Sequence, residues 1–333
     1  MNHNRSITRR RFALQTSALA AAPLLPAICA SPAFAQAGWP TKTVRMVVPY
    51  GPGGGNDIIA RVVSEKLATA LGQPVLVENR AGAGAIVGTD HVAKSTPDGY
   101  TLAMTASGSI VFNQVLVAKL AYDPIKDFAP ISLAGTFPLI LCVNEQFPAK
   151  SLQELVAWTK NDANKAAYSY PAASFQLIME LVKSRTGLRA LNVPYNGSAP
   201  SINAVMSQEV QMTLIDSGPV GSLLKAGKLR ALAVTSAERM PAYPNVPTFK
   251  EQGVDLAVTL WTGLLAPAGT PAPVVKRLED EMGRIMRMPD VVERLGKLDI
   301  RAVGSPAAEF SRTIAEDIKL WTQVARDNNI KAS

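Results

Sequence analysis

Histidine and cysteine are nearly missing from this chain of 333 residues: there are two of each, and His3 and Cys29 both fall within the first thirty positions. Beyond those positions only His91 and Cys142 remain. Zinc, iron and copper sites built from imidazole and thiolate need several such ligands, so the sequence has no material for them, and no metal or cofactor is expected. A Ser-His-Asp or Cys-His nucleophile would have to use His91. That residue lies in a segment, 86–94, that reads as an amphipathic helix, and no Gly-x-Ser-x-Gly elbow accompanies it. His91 therefore reads as a structural or surface residue. With one cysteine left, no intramolecular disulfide can form.

Two further absences narrow the function. After the first thirty-five residues no apolar run approaches the roughly 20 residues that span a bilayer. No cluster of lysine and arginine is interleaved with aromatics, so nucleic acid is not an expected partner. The one long apolar stretch, 13–28, stands at the start, behind Arg5, Arg9, Arg10 and Arg11 and ahead of Ala33-Phe34-Ala35. A basic head, an apolar middle and a small-x-small site predict a signal peptide over 1–35, with the mature chain starting near Gln36. Thr8-Arg9-Arg10-Arg11-Phe12 resembles the twin-arginine export signal, with an ordinary Sec signal as the alternative. Ile28 before Cys29 is too bulky for lipid attachment. Cleavage removes four arginines and no acid, so the net charge falls from +8 to +4 over the remaining 298 of the 333 residues. That is a mildly basic exported protein with room for two domains.

What is present is organised around one stretch. Val44 to Val48 is a largely apolar run, the pattern of a strand in a parallel sheet. Gly51, Gly53, Gly54 and Gly55 follow, broken by Pro52, and must form a tight loop. Asn56 and Asp57 are good N-cap residues for a helix over 57–71, in which Ile58, Ile59, Val62, Val63, Leu67 and Leu71 recur at helical spacing. Strand, glycine loop and helix N-terminus aim free backbone N–H groups at one point, which suits an anion. Two stricter motifs fail: a P-loop needs Gly-Lys-Ser/Thr where Asn56-Asp57 stands, and the third glycine of GxGxxG falls on Asn56. A glycine turn without a ligand remains the alternative.

Downstream, strands and helices alternate. Strands are predicted over 75–77 and 100–104, the second followed by a small polar loop, 105–109, with Thr105 and Ser107. Strand–helix alternation at this spacing predicts βαβ units, whose ligands gather at the C-terminal strand ends. A second βα sheet follows, with strands at 139–144, 167–170, 190–193, 210–215 and 229–234. Its helices start at a capping box, Ser151-Leu-Gln-Glu154, and after Pro171-Ala-Ala-Ser174 and Asn196-Gly-Ser198. Asp216 ends a strand where a carboxylate can address a ligand; a turn or cap role is the other reading. Extended chain at 256–266 and helices at 271–286, 290–298 and 306–328 complete the chain, with Trp261 and Trp321 as core or hinge packing.

A set of motifs in order resembles one family: Pro49-Tyr-Gly-Pro-Gly-Gly-Gly-Asn-Asp57, Gly72-Gln-Pro-Val-Leu-Val-Glu-Asn-Arg80, Pro97-Asp-Gly-Tyr-Thr-Leu102, Gly227-Lys-Leu-Arg-Ala-Leu-Ala-Val-Thr235, Trp261-Thr-Gly263 and Pro267-Ala-Gly-Thr-Pro271. The mature chain is similar throughout to the Bug or TctC-type receptors, the periplasmic solute-binding proteins of tripartite tricarboxylate transporters. The resemblance implies a type II periplasmic-binding-protein fold, two α/β lobes joined by two crossing strands, with lobe one at 36–136 and 261–333 and lobe two at 137–260. It implies a monomer that holds a small carboxylate in the interlobe cleft through amides, hydroxyls and water, and delivers it to the permease subunits. By position, ligand contacts fall to Tyr50, Gly51, Gly53, Gly54, Gly55, Asp57, Thr105 and Ser107 of lobe one, and to Ala173, Ser174, Asn196, Ser198 and Asp216 of lobe two. A ligand-loaded sensor and an enzyme on the same fold are the alternatives. Many relatives carry Gly-x-Gly-Ser and then a histidine before the lobe-two helix. Here Tyr170-Pro-Ala-Ala-Ser-Phe-Gln176 stands instead, with Ser174 as the remaining capping hydroxyl, which points toward an aromatic or less charged carboxylate.

Overall fold

The computed structural model describes residues 38–195 and 197–330, apart from the Asp162 side chain, so the signal-peptide reading and Asn196 lie outside the described residues. Strand β1 (Val44–Val48) runs through the glycine loop into α1 (Gly55–Leu71), followed by β2 (Val75–Asn79), α2 (Ile86–Ala93) and β3 (Thr101–Ala106). A π-helical turn, Gly108–Phe112, continues into α3 (Asn113–Leu116). Then come β4 (Phe128–Asn144), α4 (Leu152–Thr159), β5 (Ala167–Tyr170), α5 (Ala173–Thr186), β6 (Leu191–Pro194), α6 (Ser198–Met206), β7 (Met212–Asp216), α7 (Ser217–Lys225) and β8 (Leu229–Val234). Finally β9 (Thr259–Pro267) leads to α8 (Ala272–Ile285), α9 (Pro289–Gly296), β10 (Arg301–Ala302) and α10 (Ala307–Asp327).

Strand β4 holds the molecule together. At 17 residues it is far longer than its neighbours, and its two ends have different partners. Its first part pairs antiparallel with β9 along 128–138 and with β10 at Gly135 and Thr136. Its last part, 139–144, lies between antiparallel β7 and β8. One path therefore runs β2-β1-β3-β9-β4-β7-β5-β6. The two expected sheets are both present, and they are continuous through the shared strand β4. Within each half the strands joined through helices are parallel: β1 with β2 and β3, and β5 with β6 and β7. Strand β4 runs antiparallel to all its partners, β7, β8, β9 and β10.

The helices cover this sheet with apolar faces. Met46, Leu102, Leu264, Ile59, Leu67, Leu278 and Met282 form one buried cluster between the first-half strands and α1 and α8. Ile140, Cys142, Ile215 and Val234 pack with Ile202 and Val205 of α6 in the second half. A third cluster, with Leu139, Tyr168, Leu177, Trp261, Phe310 and Trp321, runs across both. Trp261 and Trp321 are thus core residues, as their sequence context suggested.

Several local expectations change. Helix α1 begins two residues early with Gly54 as its N-cap, and neither Asn56 nor Asp57 caps it. At Ser151 the expected cap is present: its hydroxyl accepts from the Glu154 amide at 3.2 Å. Ser174 is not a cap; α5 starts after Ala172, which offers no side-chain bond. Residues 105–109 are not a loop either, because β3 extends through Ala106 and the π-helical turn follows at once.

Candidate functional site

The strand register brings the two sets of C-terminal strand ends to one place. Ala106 at the end of β3 lies opposite Thr262 of β9, and Thr262 lies opposite Gly135 of β4. Asp216 at the end of β7 lies opposite Leu139 of β4. Gly135 and Leu139 are four residues apart, about 13 Å of strand. The loops after β1 and β3 and those after β5, β6 and β7 therefore converge on the bend of β4. The N-termini of α1, α5, α6 and α7 come with them, each presenting unpaired amide groups and a positive dipole end.

The glycine loop supplies the clearest signal. Gly53 has φ 85°, a left-handed conformation that glycine adopts without strain. Gly51, Gly54 and Gly55 need no such conformation. A Cβ at Gly51 would meet nothing within 4 Å, and at Gly54 and Gly55 only single atoms at 4.0 and 3.9 Å. Packing demands glycine elsewhere: a Cβ at Gly263 would lie 2.2 Å from Phe310. The space before 51–55 is open, and the whole loop is exposed.

Asp57 does not face that space. It is 3 % exposed, and its carboxylate accepts from the Gly53 amide at 2.9 Å, Arg61 Nε at 2.8 Å and Asn79 Nδ2 at 2.9 Å. The Arg61 guanidinium, with these further donors, holds its carboxyl down at about 2. Asn79 also donates to the Tyr50 carbonyl at 3.1 Å. Asp57 therefore fixes the loop from behind, and Arg61 and Asn79 share that work. Neither was among the expected site residues, although Asn79 lies in a motif that carried the resemblance. Asn56 accepts from the Thr262 hydroxyl, tying the α1 N-terminus to β9.

Tyr50 and Thr105 come together, and Ser107 stands just beyond the end of β3. The Tyr50 hydroxyl sits 3.1 Å from where a Gly108 Cβ would be, and burial pushes its pKa up although Ser109 and Thr105 reach it. Thr105 and Ser109 share a hydrogen bond, and Tyr122 Oη donates to the Ser109 carbonyl at 2.5 Å. Ser107 Oγ accepts from the Trp261 amide at 3.4 Å.

In the second half, Ala173 and Ser198 are the first residues of α5 and α6, and Ser174 stands one position further. Asp216 precedes α7 as its N-cap residue but makes no side-chain cap bond. Burial raises its pKa, and among the described residues it has no ion-pair partner. No lysine, arginine or histidine stands among these placed residues, so an anion here would meet amides and hydroxyls. Two surface depressions lie elsewhere, one along α8 at Lys276, Gly283 and Arg287 and the other at Gln114, Asp123 and Asp127. Both are open to solvent, and neither includes a strand end.

Comparison with known proteins bears on the family and the fold. A family model described as the tripartite tricarboxylate transporter family receptor matches residues 59–330. Protein BugT of Bordetella pertussis is 33% identical over 297 residues, covering 88% of this chain and 91% of that one. The solved structure of R. palustris Rpa4515 with adipate superposes with a TM-score of 0.77 at 30% identity, covering 89% of this chain and 100% of the other. MatC (Rpa3494) from Rhodopseudomonas palustris with bound malate gives 0.70 at 31%, covering 86% and 99%. The expected fold, two α/β halves joined by crossing strands in the manner of type II periplasmic binding proteins, is the observed one.

Proposed function

We propose that this chain, which belongs to the tripartite tricarboxylate transporter receptor family, is a periplasmic receptor that closes around a small carboxylate and delivers it to the permease subunits of such a transporter. The observation that carries this reading is the open space before Gly51, Gly54 and Gly55, glycines that neither backbone conformation nor internal packing requires. A carboxylate there meets the free amides of the loop and the positive end of α1. Ala173, Ser174 and Ser198 supply the facing amides and hydroxyls, and Asp216 borders the ligand at the bend. Relatives with adipate and malate bound support the ligand class.

The mechanism is a shift between conformations. A ligand that touches the α1 loop and the α5 and α6 starts together does so only when the halves 36–136 with 261–333 and 137–260 approach. It stabilises that state by the contacts the open state lacks. The protein works as a monomer, performs no chemistry on its ligand, and reaches the periplasm by the twin-arginine route with cleavage near Ala35.

A thermal-shift screen of the chain from Gln36 against mono-, di- and tricarboxylates and aromatic acids tests the reading. A ligand at a hundred times its dissociation constant adds about 2.7 kcal/mol of stability. A panel in which no acid raises the melting temperature would overturn it.

A further inference from the structure

Helix α10 touches both halves of the molecule. Near its start Phe310 packs edge-on against Trp261 of β9, ring centroids 5.1 Å apart, over the bare backbone of Gly263. Near its end Trp321, Val324 and Ala325 join the same buried cluster as Leu177, Ile178 and Val182 of α5. Between these contacts stands Asp317, half-buried, whose carboxylate accepts from Trp261 Nε1 at 2.7 Å. Trp261 in turn lies opposite Thr136 at the bend of β4, and its amide reaches Ser107 beside the candidate site.

Among the described residues no cation forms an ion pair with Asp317. Strands β4 and β9 and the 108–116 helical segment, which pack near it, contain no charged residue. On its own helix the neighbours one turn away are Thr313, Ile314, Leu320 and Trp321; the adjacent Glu316 is of like sign, and Lys319, two positions on, is exposed. Helix α5 carries Glu180, Lys183 and Arg185, of which Lys183 is bound to Glu180 at 2.8 Å and Arg185 is exposed. Burial, with Glu316 adding to it, holds the Asp317 carboxyl up at about 6 against the pull of the Trp261 donor.

We propose that the Trp261–Asp317 contact is a proton-operated clamp: neutral Asp317 seats α10 on β9, and ionised Asp317 loosens that seat and frees the bend of β4. An ionised carboxylate in an apolar seam without a cation gains by reaching water. It reaches water by moving α10 away from Trp261. The clamp therefore tightens in mild acid and relaxes above neutrality, whatever the ligand.

Hydrogen exchange on the chain from Gln36, corrected for the intrinsic pH dependence of exchange, reads the clamp directly. Amides at 259–263 and 310–317 should be at least fivefold better protected at pH 5 than at pH 7.5. Asp317→Asn should be protected to the pH 5 level at both. Trp261→Phe removes the donor that favours the charged carboxylate, so its transition should move to higher pH. Equal protection of the wild type at the two pH values would overturn the clamp. So would an Asp317→Asn variant with the wild-type pH response, or a Trp261→Phe transition that does not move.

Discussion

Leu139 and Thr235 are joined by two hydrogen bonds at the bend of the shared strand: the Leu139 amide donates to Thr235 Oγ1 and the Thr235 amide to the Leu139 carbonyl, each at 2.9 Å. The Thr235 carbonyl accepts from Val258 at 2.7 Å, just before β9 begins. One fully buried residue thus holds both crossing segments where the two halves meet.

Thr235→Val keeps the shape and removes the acceptor, leaving the buried Leu139 amide unpaired at a cost of about 1–3 kcal/mol. Urea denaturation should show that loss, and Thr235→Ser should recover most of it. A valine variant as stable as the wild type would mean water or backbone movement satisfies Leu139 instead.

The glycine loop separates binding from folding. Gly54 has φ −79° and room for a side chain, so Gly54→Val should leave the unfolding midpoint nearly unchanged. Its side chain would project into the open space, and affinity for the acid found in the thermal-shift screen should drop at least ~10-fold, about 1.4 kcal/mol. Gly53→Ala, at φ 85°, should instead cost about 1 kcal/mol or more of stability. Wild-type affinity in Gly54→Val would move the ligand away from this loop.

Asp57 gives the protein an acid-sensitive loop. Its folded pKa of about 2 lies below the ordinary value of 3.8, so its contribution is present above pH 4 and is lost as pH falls toward 2. That shift corresponds to roughly 2 kcal/mol for a buried carboxylate. Asp57→Asn should lower stability at pH 7 by a similar amount, flatten the acid limb of the unfolding curve, and weaken binding by releasing Gly53. A variant with unchanged pH dependence would locate the acid sensitivity elsewhere.

Gly263→Ala tests the seat of α10. The added methyl would overlap the Phe310 ring, so α10 must shift, at a cost of about 1–3 kcal/mol for an overpacked core. Pairing it with Phe310→Leu should recover part of the loss. Independent, additive effects of the two changes would argue against their contact.

Local periodicity made most of the helices and the parallel strands legible, because each depends on residues a few positions apart. The first part of β4 was not legible. The predicted strand began at 139, whereas 128–138 pairs with β9 across register shifts between Pro130 and Ser132 and between Leu133 and Gly135. Asp57 looked like a cap because capping is a rule of short range, while Asn79, one of the donors that claims its carboxylate, lies 22 residues away. Residues 105–109 read as a loop from Ser-Gly-Ser. The distant Tyr122 hydroxyl on the Ser109 carbonyl is invisible to any local pattern. The glycine loop itself was conspicuous in the sequence, but that its glycines face open space required three dimensions.

The late position of β9 in the chain has a consequence for synthesis. It fills the slot between β3 and the first part of β4, so those two edges stay bare until residues 259–267 have been made. The second half needs no such wait, since β5 to β8 and their partner segment of β4 are complete by residue 234. A nascent or prematurely terminated chain of that length therefore carries one half with its strand pairing complete and one with two open strand edges, the kind of surface that recruits other strands. In the full-length chain β9 closes both edges at once.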